Sequence, residues 1–441
     1  MTNEPFRDSK RYSPATIQKD VMPLSTPGLS ESRDLRTGKV PWREADWAIP
    51  PTGGLPGESC DIAIIGTGIM GAILAERLSA AGKRVALIDR RPPGCGSTAA
   101  STAQLMWAMD VPMTTLAQQI GEAQAARRWT HIFNAVRDLS DRVDALGLGE
   151  LKQECPTLYL AGNLLDADGL AAEADLHRRH SLPSQWLDAG QTAGRFGIAP
   201  RAAILSSGGF TIDPVRLCHA LTDRAISRGA ALTWPVDVVG LHPDKGSVLI
   251  EVATGENLRA ADVILATGYE RAGLFLPPAF SLLTTFAIAT PPGVAPLWKE
   301  DAMIWEASDP YLYVRTDRTG RIIAGGEDME SADAHSRDAL IPEKAGTIAA
   351  KLEAMLGAPI TIDRRWAATF GASPDGLPAI GASSLMPHVW LAAGYGGNGI
   401  AFASLAAEML ECELAGEADP DRDAFDPYRF DDAVDGKGRA A

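Results

Sequence analysis

Four stretches of the chain carry residue types whose spacing could do chemistry. Gly66, Gly68 and Gly71 stand in "GTGIMG" at the spacing G-x-G-x-x-G. The first glycine permits a tight turn, the second lets a pyrophosphate approach the backbone, and the third lets helix and strand pack closely. Asp89, at the end of the next apolar run, is placed to accept hydrogen bonds from a ribose. The second stretch, "GSTAASTAQL" at 96–105, is made of small and hydroxyl-bearing residues. In the third, "GYGGNGI" at 394–400, a glycine loop opens a long helix whose N-terminus can stabilise negative charge. The fourth is "DPYLYVR" at 309–315. As a strand it puts Tyr311, Tyr313 and Arg315 on one face, where the arginine could clamp a carboxylate with both arms of its fork. The alternative there is a solvent-facing edge strand.

The elements that must position these residues follow from apolar periodicity. Ile62–Ile65 is a short β-branched run bounded by glycine, which reads as a buried parallel strand. Ile69 opens a helix that Gly82 stops, and Arg84–Ile88 is a second strand. Strand, glycine turn, helix, strand and terminal acid therefore arrive in register, which predicts a dinucleotide-binding unit rather than a plain βαβ unit with packing glycines. Helical periodicity runs from Met113 to about Leu146, a strand is expected at 157–163, and a helix at 168–181. Asp213-Pro214 is a helix start, with an acid at the cap and proline at the first helical position. Strands are expected near 231–239, 247–253 and 262–270, antiparallel strands between 284 and 325, and a helix at 342–356. Strand-then-glycine units near 66, 268 and 396 suggest one nucleotide domain assembled from distant pieces of chain. The expected fold class is α/β, α+β overall: a Rossmann-like nucleotide-binding domain with an interleaved substrate domain built on an antiparallel sheet. The expected boundaries are an N-terminal arm at 1–57, nucleotide-domain parts at 58–112, 209–280 and 326–425, substrate-domain parts at 113–208 and 281–325, and a tail at 426–441.

Composition narrows the class. At 441 residues the chain exceeds the size at which one core stops growing. The formal net charge of −15 argues against nucleic acid and anionic membranes as partners. No uninterrupted apolar run is long enough to span a bilayer. The arm is polar and proline-rich without the apolar core of a signal peptide, and Trp42 and Trp47 could pin it to the body. Five cysteines without a C-x-x-C pair fit a reducing compartment, so a cytoplasmic location is expected. No metal site is expected: His177 and His180 in "DLHRRH" read as a solvated charged face.

Taken together, these motifs resemble the FAD-dependent oxidoreductases of the D-amino-acid oxidase type, the group that includes glycine, sarcosine and γ-glutamylputrescine oxidases. The likeness runs from about residue 60 to 415 and rests on the 66–71 loop with Asp89, on 96–105, and on "WAATFGASPDGLPAIG" with "LAAGYGGNGIAFA" at 366–381 and 391–403. The family usually has glutamate where Asp89 stands. The resemblance implies FAD as cofactor, with Gly66, Gly68, Ile69, Gly71, Asp89, Arg90, Ser97, Thr98, Ser101, Thr102, Ala103, Gln104, Val236, Gly268, Gly394, Tyr395, Gly397, Asn398, Gly399 and Ile400 around it. Val236 would offer backbone groups to the adenine. Some relatives attach their flavin through a cysteine where Ala368 stands here, which implies non-covalent FAD. Where amino-acid oxidases place a carboxylate-binding arginine, this chain has Phe370. Tyr313 and Arg315, on the strand that lines the family's substrate pocket, are then the candidate replacements.

The function expected from this is oxidation of a C–N bond in a small amine or amino acid by hydride transfer to FAD. The electron acceptor is left open among oxygen, a quinone and another protein. The alternatives are a nicotinamide-dependent dehydrogenase using the first glycine motif alone, and a flavin-binding redox sensor or assembly subunit with Phe370 and Trp107 plugging its cavity.

Overall fold

A computed structural model describes residues 35–42, 51–52, 54–270 and 279–431. Among these, two sheets organise the chain. The first has eight strands. In its parallel core, Ser59–Ile65 lies between Val85–Ile88 and Asn257–Leu265. Ala231–Thr233 extends one side and Val389–Ala393 the other. Ile62, Ala63 and Ile64 are almost wholly buried: Ile62 and Ile64 face the helices, while Ala63 faces the strands Val238–Asp244 and Ser247–Val252 on the other side. Helices Ile69–Ala80, Pro214–Ser227 and Gly399–Leu414 pack on one face of this sheet, the first between the other two. The three strand-then-glycine units thus meet as neighbours in one sheet.

The second sheet has ten strands and is mainly antiparallel. Its centre is formed by Arg364–Ala372, Ser281–Ala289, Ile322–Met329, Leu312–Thr316 and Met303–Glu306 in spatial order. Lys152–Leu160 then pairs in parallel with Met303–Glu306 and antiparallel with Ala203–Ile212. One face, carrying Phe286, Ile288, Leu312 and Val314, packs on the helix Ala334–Leu356. By alternation the other face carries Thr285, Ala287, Tyr313, Arg315, Trp366, Ala368 and Phe370, and it turns toward the nucleotide sheet.

Three expectations need correction. The boundary at 325 cuts through this sheet: Arg364–Ala372 pairs along its whole length with Ser281–Ala289, and the helix before it packs on the same sheet. Residues 326–372 therefore belong structurally with the substrate domain. The single helix expected over 113–146 is two, Met113–Ile120 and Glu122–Ala145, because Gly121 adopts φ +87° between them. His177 does not lie on a solvated face. It is 3% exposed and sits against the Trp107 and Trp129 rings.

The arm joins the second sheet. Arg36–Gly38 pairs antiparallel with Arg364–Ala372, matching Arg36 with Ala368. Trp42 is buried, and its indole N–H donates to the Ser101 carbonyl at 3.0 Å. Trp47 lies outside the described residues.

Candidate active site

Among the described residues a cleft runs between the two sheets, with a glycine-lined end at the 66–68 turn and an aromatic end. At the first end Gly66 adopts φ +113°, and a Cβ there would sit 2.3 Å from the Ala266 carbonyl oxygen. A Cβ on Gly71 would sit 2.0 Å from the Gly66 oxygen, so helix and turn touch there. Gly68 differs: its Cβ would meet only the Thr98 hydroxyl, at 3.2 Å. The fold does not require glycine at 68, whereas a ligand approaching the helix N-terminus does.

Asp89 lines the cleft, but most of its acceptor capacity is already used. Oδ2 takes the Thr67 N–H at 2.7 Å and the Thr67 hydroxyl at 3.0 Å, and Oδ1 takes the Arg91 N–H at 2.9 Å. A carboxylate has about four lone-pair sites, so one is left for a ribose. Arg90 and Arg91 both ion-pair with Glu270 on the cleft wall. Val236 also lines the cleft. Its N–H is committed to the Asp89 carbonyl at 2.8 Å, so only its carbonyl is left for an adenine. The Ile69 N–H donates to Thr98 Oγ1 at 2.9 Å, and Ser101 Oγ accepts from the Ala103 N–H at 3.1 Å. Both bonds shape the cleft wall from within.

Ser97, Thr98, Ser101, Thr102, Ala103 and Gln104 all line the cleft, as do Gly268, Tyr395, Gly397, Asn398, Gly399 and Ile400. Gly394 and Gly71 stand behind the wall. Gly394 takes φ +69° in the turn, with Phe280 3.0 Å from where a Cβ would be. Two tryptophans hold the 97–104 segment: Trp366 donates to the Ala100 carbonyl at 2.9 Å, and Trp42 to that of Ser101.

The aromatic end is formed by Met106, Tyr269, Thr285, Trp305, Tyr311, Tyr313, Thr369, Phe370 and Tyr395, with Asp110 at its edge. Asp110 is exposed. It accepts the Gly397 N–H at 3.0 Å and the Asn398 amide at 3.3 Å, which ties the loop at the N-terminus of Gly399–Leu414. Tyr311 donates to Asp328 at 2.8 Å. Burial pushes the Tyr313 hydroxyl up to about 12, and it pushes Asp328 up to about 6. Asp110, Trp305 and Asp328 carry no motif, and only the fold brings them to Tyr311 and Tyr313.

Arg315 does not reach this chamber. It shares a face with Tyr313 but lies two residues along the strand, about 6.6 Å at ordinary strand rise. That step carries it past the edge of the cleft and under the arm. Its guanidinium lies 5.2 Å from the Trp42 ring centroid and donates to the Ile212 carbonyl at 3.1 Å. Burial lowers it to about 10. The expectation that it clamps a substrate carboxylate is corrected accordingly. Trp107 is likewise outside the cleft: its N–H is fixed to the Ser207 carbonyl at 2.8 Å. Of the described residues lining the cleft, the cationic ones are Arg90 and Arg91, beside Asp89.

The cleft suits a long cofactor carrying both phosphates and hydrogen-bonding groups. Both ends of the Gln104 amide, Thr285 Oγ1, Thr369 Oγ1 and the Tyr395 hydroxyl are buried on its wall without hydrogen-bond partners. Polar groups buried in this way call for a ligand to satisfy them.

A family model described as "FAD dependent oxidoreductase" matches residues 61–412. The probable oxidoreductase OrdL of Haemophilus influenzae is 23% identical over 85% of this chain and 87% of its own. The tRNA 5-methylaminomethyl-2-thiouridine biosynthesis bifunctional protein MnmC of Cupriavidus necator is 27% identical over 83% of this chain, which spans only 60% of that longer protein. Among solved structures, glycine oxidase from Geobacillus kaustophilus superposes with a TM-score of 0.66 at 19% identity, over 82% of this chain and 96% of its own. The chain belongs to the FAD-dependent oxidoreductase family of the D-amino-acid oxidase type, and it is an FAD enzyme.

Proposed function

We propose that this family member oxidises the C–N bond of a small amine that need not carry a carboxylate. The observation behind this reading is the charge of the chamber. Among the described residues its aromatic end has Asp110 and no lysine, arginine or histidine. An alkylammonium is drawn to such an end, both by the carboxylate and by the faces of Trp305, Tyr311, Tyr313 and Phe370. A substrate carboxylate would meet no cation there, and burying it unpaired is costly. The names of the relatives fit an amine in general: one is a glycine oxidase and another carries a methylaminomethyl group in its name.

FAD, when bound, supplies the hydride acceptor for the carbon next to nitrogen. The chain supplies the rest. Gly68 and the 97–104 segment would hold the pyrophosphate, and the 394–400 loop the far end of the cofactor. The aromatic walls exclude water and orient the amine's C–H bond. FAD is held without a covalent bond, because Ala368 offers no atom for one. The test is anaerobic bleaching of the purified yellow protein by simple amines, polyamines, D- and L-amino acids and N-methyl amino acids, with acid precipitation of the same sample. Amines lacking a carboxylate are expected to bleach it, and acid to release the colour. Bleaching confined to amino acids would overturn the reading.

A further inference from the structure

We infer that Tyr311 and Asp328 form a proton relay that takes the ammonium proton from the amine before its C–H bond is broken. This rests on the amine reading above and assigns the step which that reading leaves open. An alkylammonium has no lone pair to push a hydride off the neighbouring carbon, so the amine must first become neutral. Alkyl amines titrate near 10, as lysine does, so nearly all of the substrate arrives protonated at neutral pH. A group in the chamber must accept that proton, and no lysine or histidine lines it among the described residues.

Tyr311 is on the chamber wall and Asp328 is behind it, joined by the 2.8 Å bond from the tyrosine hydroxyl to Asp328 Oδ2. Asp328 reaches that position through a β-bulge. Tyr313 pairs with Gly325, so regular alternation would send Glu327 to the chamber face and Asp328 to the opposite one. Instead the pairing shifts: Phe286 opposes Gly326 while Thr284 opposes Met329, which leaves one extra residue in the strand Ile322–Met329. Gly326 and Glu327 absorb it with φ +136° and +59°. Glu327 consequently pairs with Lys344 and Lys351 of the covering helix, and Asp328 turns to the tyrosines. Bulges of this kind re-aim a single side chain next to an active site.

The carboxyl has room for a proton. Its Oδ1 is buried without a strong partner, the Thr285 hydroxyl on the adjacent strand being the nearest group that favours its ionised form. Burial, with the charges of Asp110 and Asp309, raises Asp328 to about 6, while Thr285 and Tyr311 act against the rise and Tyr313 lies beside it. In the step itself, the ammonium N–H bond breaks and its proton bonds to Tyr311 Oη. The hydroxyl proton of Tyr311 moves in concert to Asp328 Oδ2. The net products are a neutral amine, an unchanged tyrosine and a protonated Asp328, and no electron is transferred.

The test is the pH dependence, from 5 to 9, of anaerobic flavin reduction by an amine that bleaches the wild type. The wild-type rate at low amine should fall about tenfold per pH unit below an inflection near 6. In Asp328→Asn and in Tyr311→Phe, reduction at pH 7 should be at least roughly tenfold slower and the inflection near 6 should vanish, the rate instead climbing throughout the range as the amine itself loses its proton, with the yellow colour retained. Asp328→Glu should restore an inflection. Infrared difference spectra of the oxidised protein across the same range should contain a carboxylic-acid band that Asp328→Asn removes, a readout independent of turnover. A wild-type inflection near 6 surviving in Tyr311→Phe or Asp328→Asn would overturn the relay and leave the amine reading intact. Absence of the band in the wild type would do the same. If no amine bleaches the flavin, the amine reading falls and the relay with it. Should Asp328→Asn lose its colour, Tyr311→Phe and the wild-type infrared titration still decide.

Discussion

At the scale of single residues, three glycines with one motif have different physical reasons to be there. A side chain at 71 would collide with the Gly66 carbonyl oxygen at 2.0 Å, whereas one at 68 meets only the Thr98 hydroxyl at 3.2 Å. Gly71→Ala should therefore cost several kcal/mol of stability through backbone overlap, and the protein should be lost to the insoluble fraction. Gly68→Val should fold, with a denaturation midpoint close to that of wild-type apoprotein, yet bind no FAD. A colourless, unfolded Gly68→Val would show that the residue serves packing. The motif's spacing made all three legible in the sequence, because one strand-turn-helix geometry demands it. Asp89 was legible for a similar reason, although its bonds to the Thr67 and Arg91 N–H groups were not. Arg315 misled because alternation gives a face but not a position along it. The difference between lining a chamber and propping up Trp42 is one strand repeat.

At the scale of elements, the arm and the bulge decide what the motifs can do. The arm's strand extends the substrate sheet, and Trp42 then reaches across to the Ser101 carbonyl while Trp366 holds that of Ala100. Two indole N–H groups thereby hold successive carbonyls and set the segment that lines the cleft. Trp42→Ala removes one of these bonds and part of a buried aromatic contact. FAD affinity, measured by fluorescence titration of the apoprotein, should weaken about tenfold, equivalent to ~1.4 kcal/mol. An unchanged affinity would make the arm a mere edge cover. Trp42 stood out in the sequence as an anchor because a large indole is rarely left in water. The bulge at Gly326 and Glu327 left no such trace. It consists of one extra residue between two pairings, and neither pairing can be read without the partner strand. The break at Gly121 was hidden differently, because the apolar periodicity continues across it on both sides.

At the scale of the whole molecule, the strand-then-glycine units were recognisable as parts of one domain because each repeats the same local pattern. The substrate domain was harder to delimit, since its strands pair across long intervals of sequence. The cleft lies where the two sheets face each other, and so a buried acid near it acts on the stability of the entire fold. Asp328 is such an acid, its carboxyl raised by burial from 3.8 to about 6. Because the folded value is the higher one, the native state binds more protons than the unfolded state between those values. Stability therefore falls as pH rises from about 4 to 6 and stays reduced above that. At 1.36 kcal/mol per unit, the ionised carboxylate costs the native state on the order of 3 kcal/mol at pH 7. Asparagine keeps an oxygen to accept the Tyr311 hydroxyl but has no charge to bury. Asp328→Asn should accordingly be more stable than wild type at pH 7 by a few kcal/mol, and the advantage should shrink toward zero near pH 4. Guanidinium denaturation of both proteins at the two pH values measures this directly. A gain of equal size at both would trace the effect to packing, and a loss at pH 7 would mean that the ionised carboxylate is held by stronger partners than Tyr311. The expected pattern, a variant more stable yet slower at reducing its flavin, is that of an acid kept in a costly place for the proton it accepts.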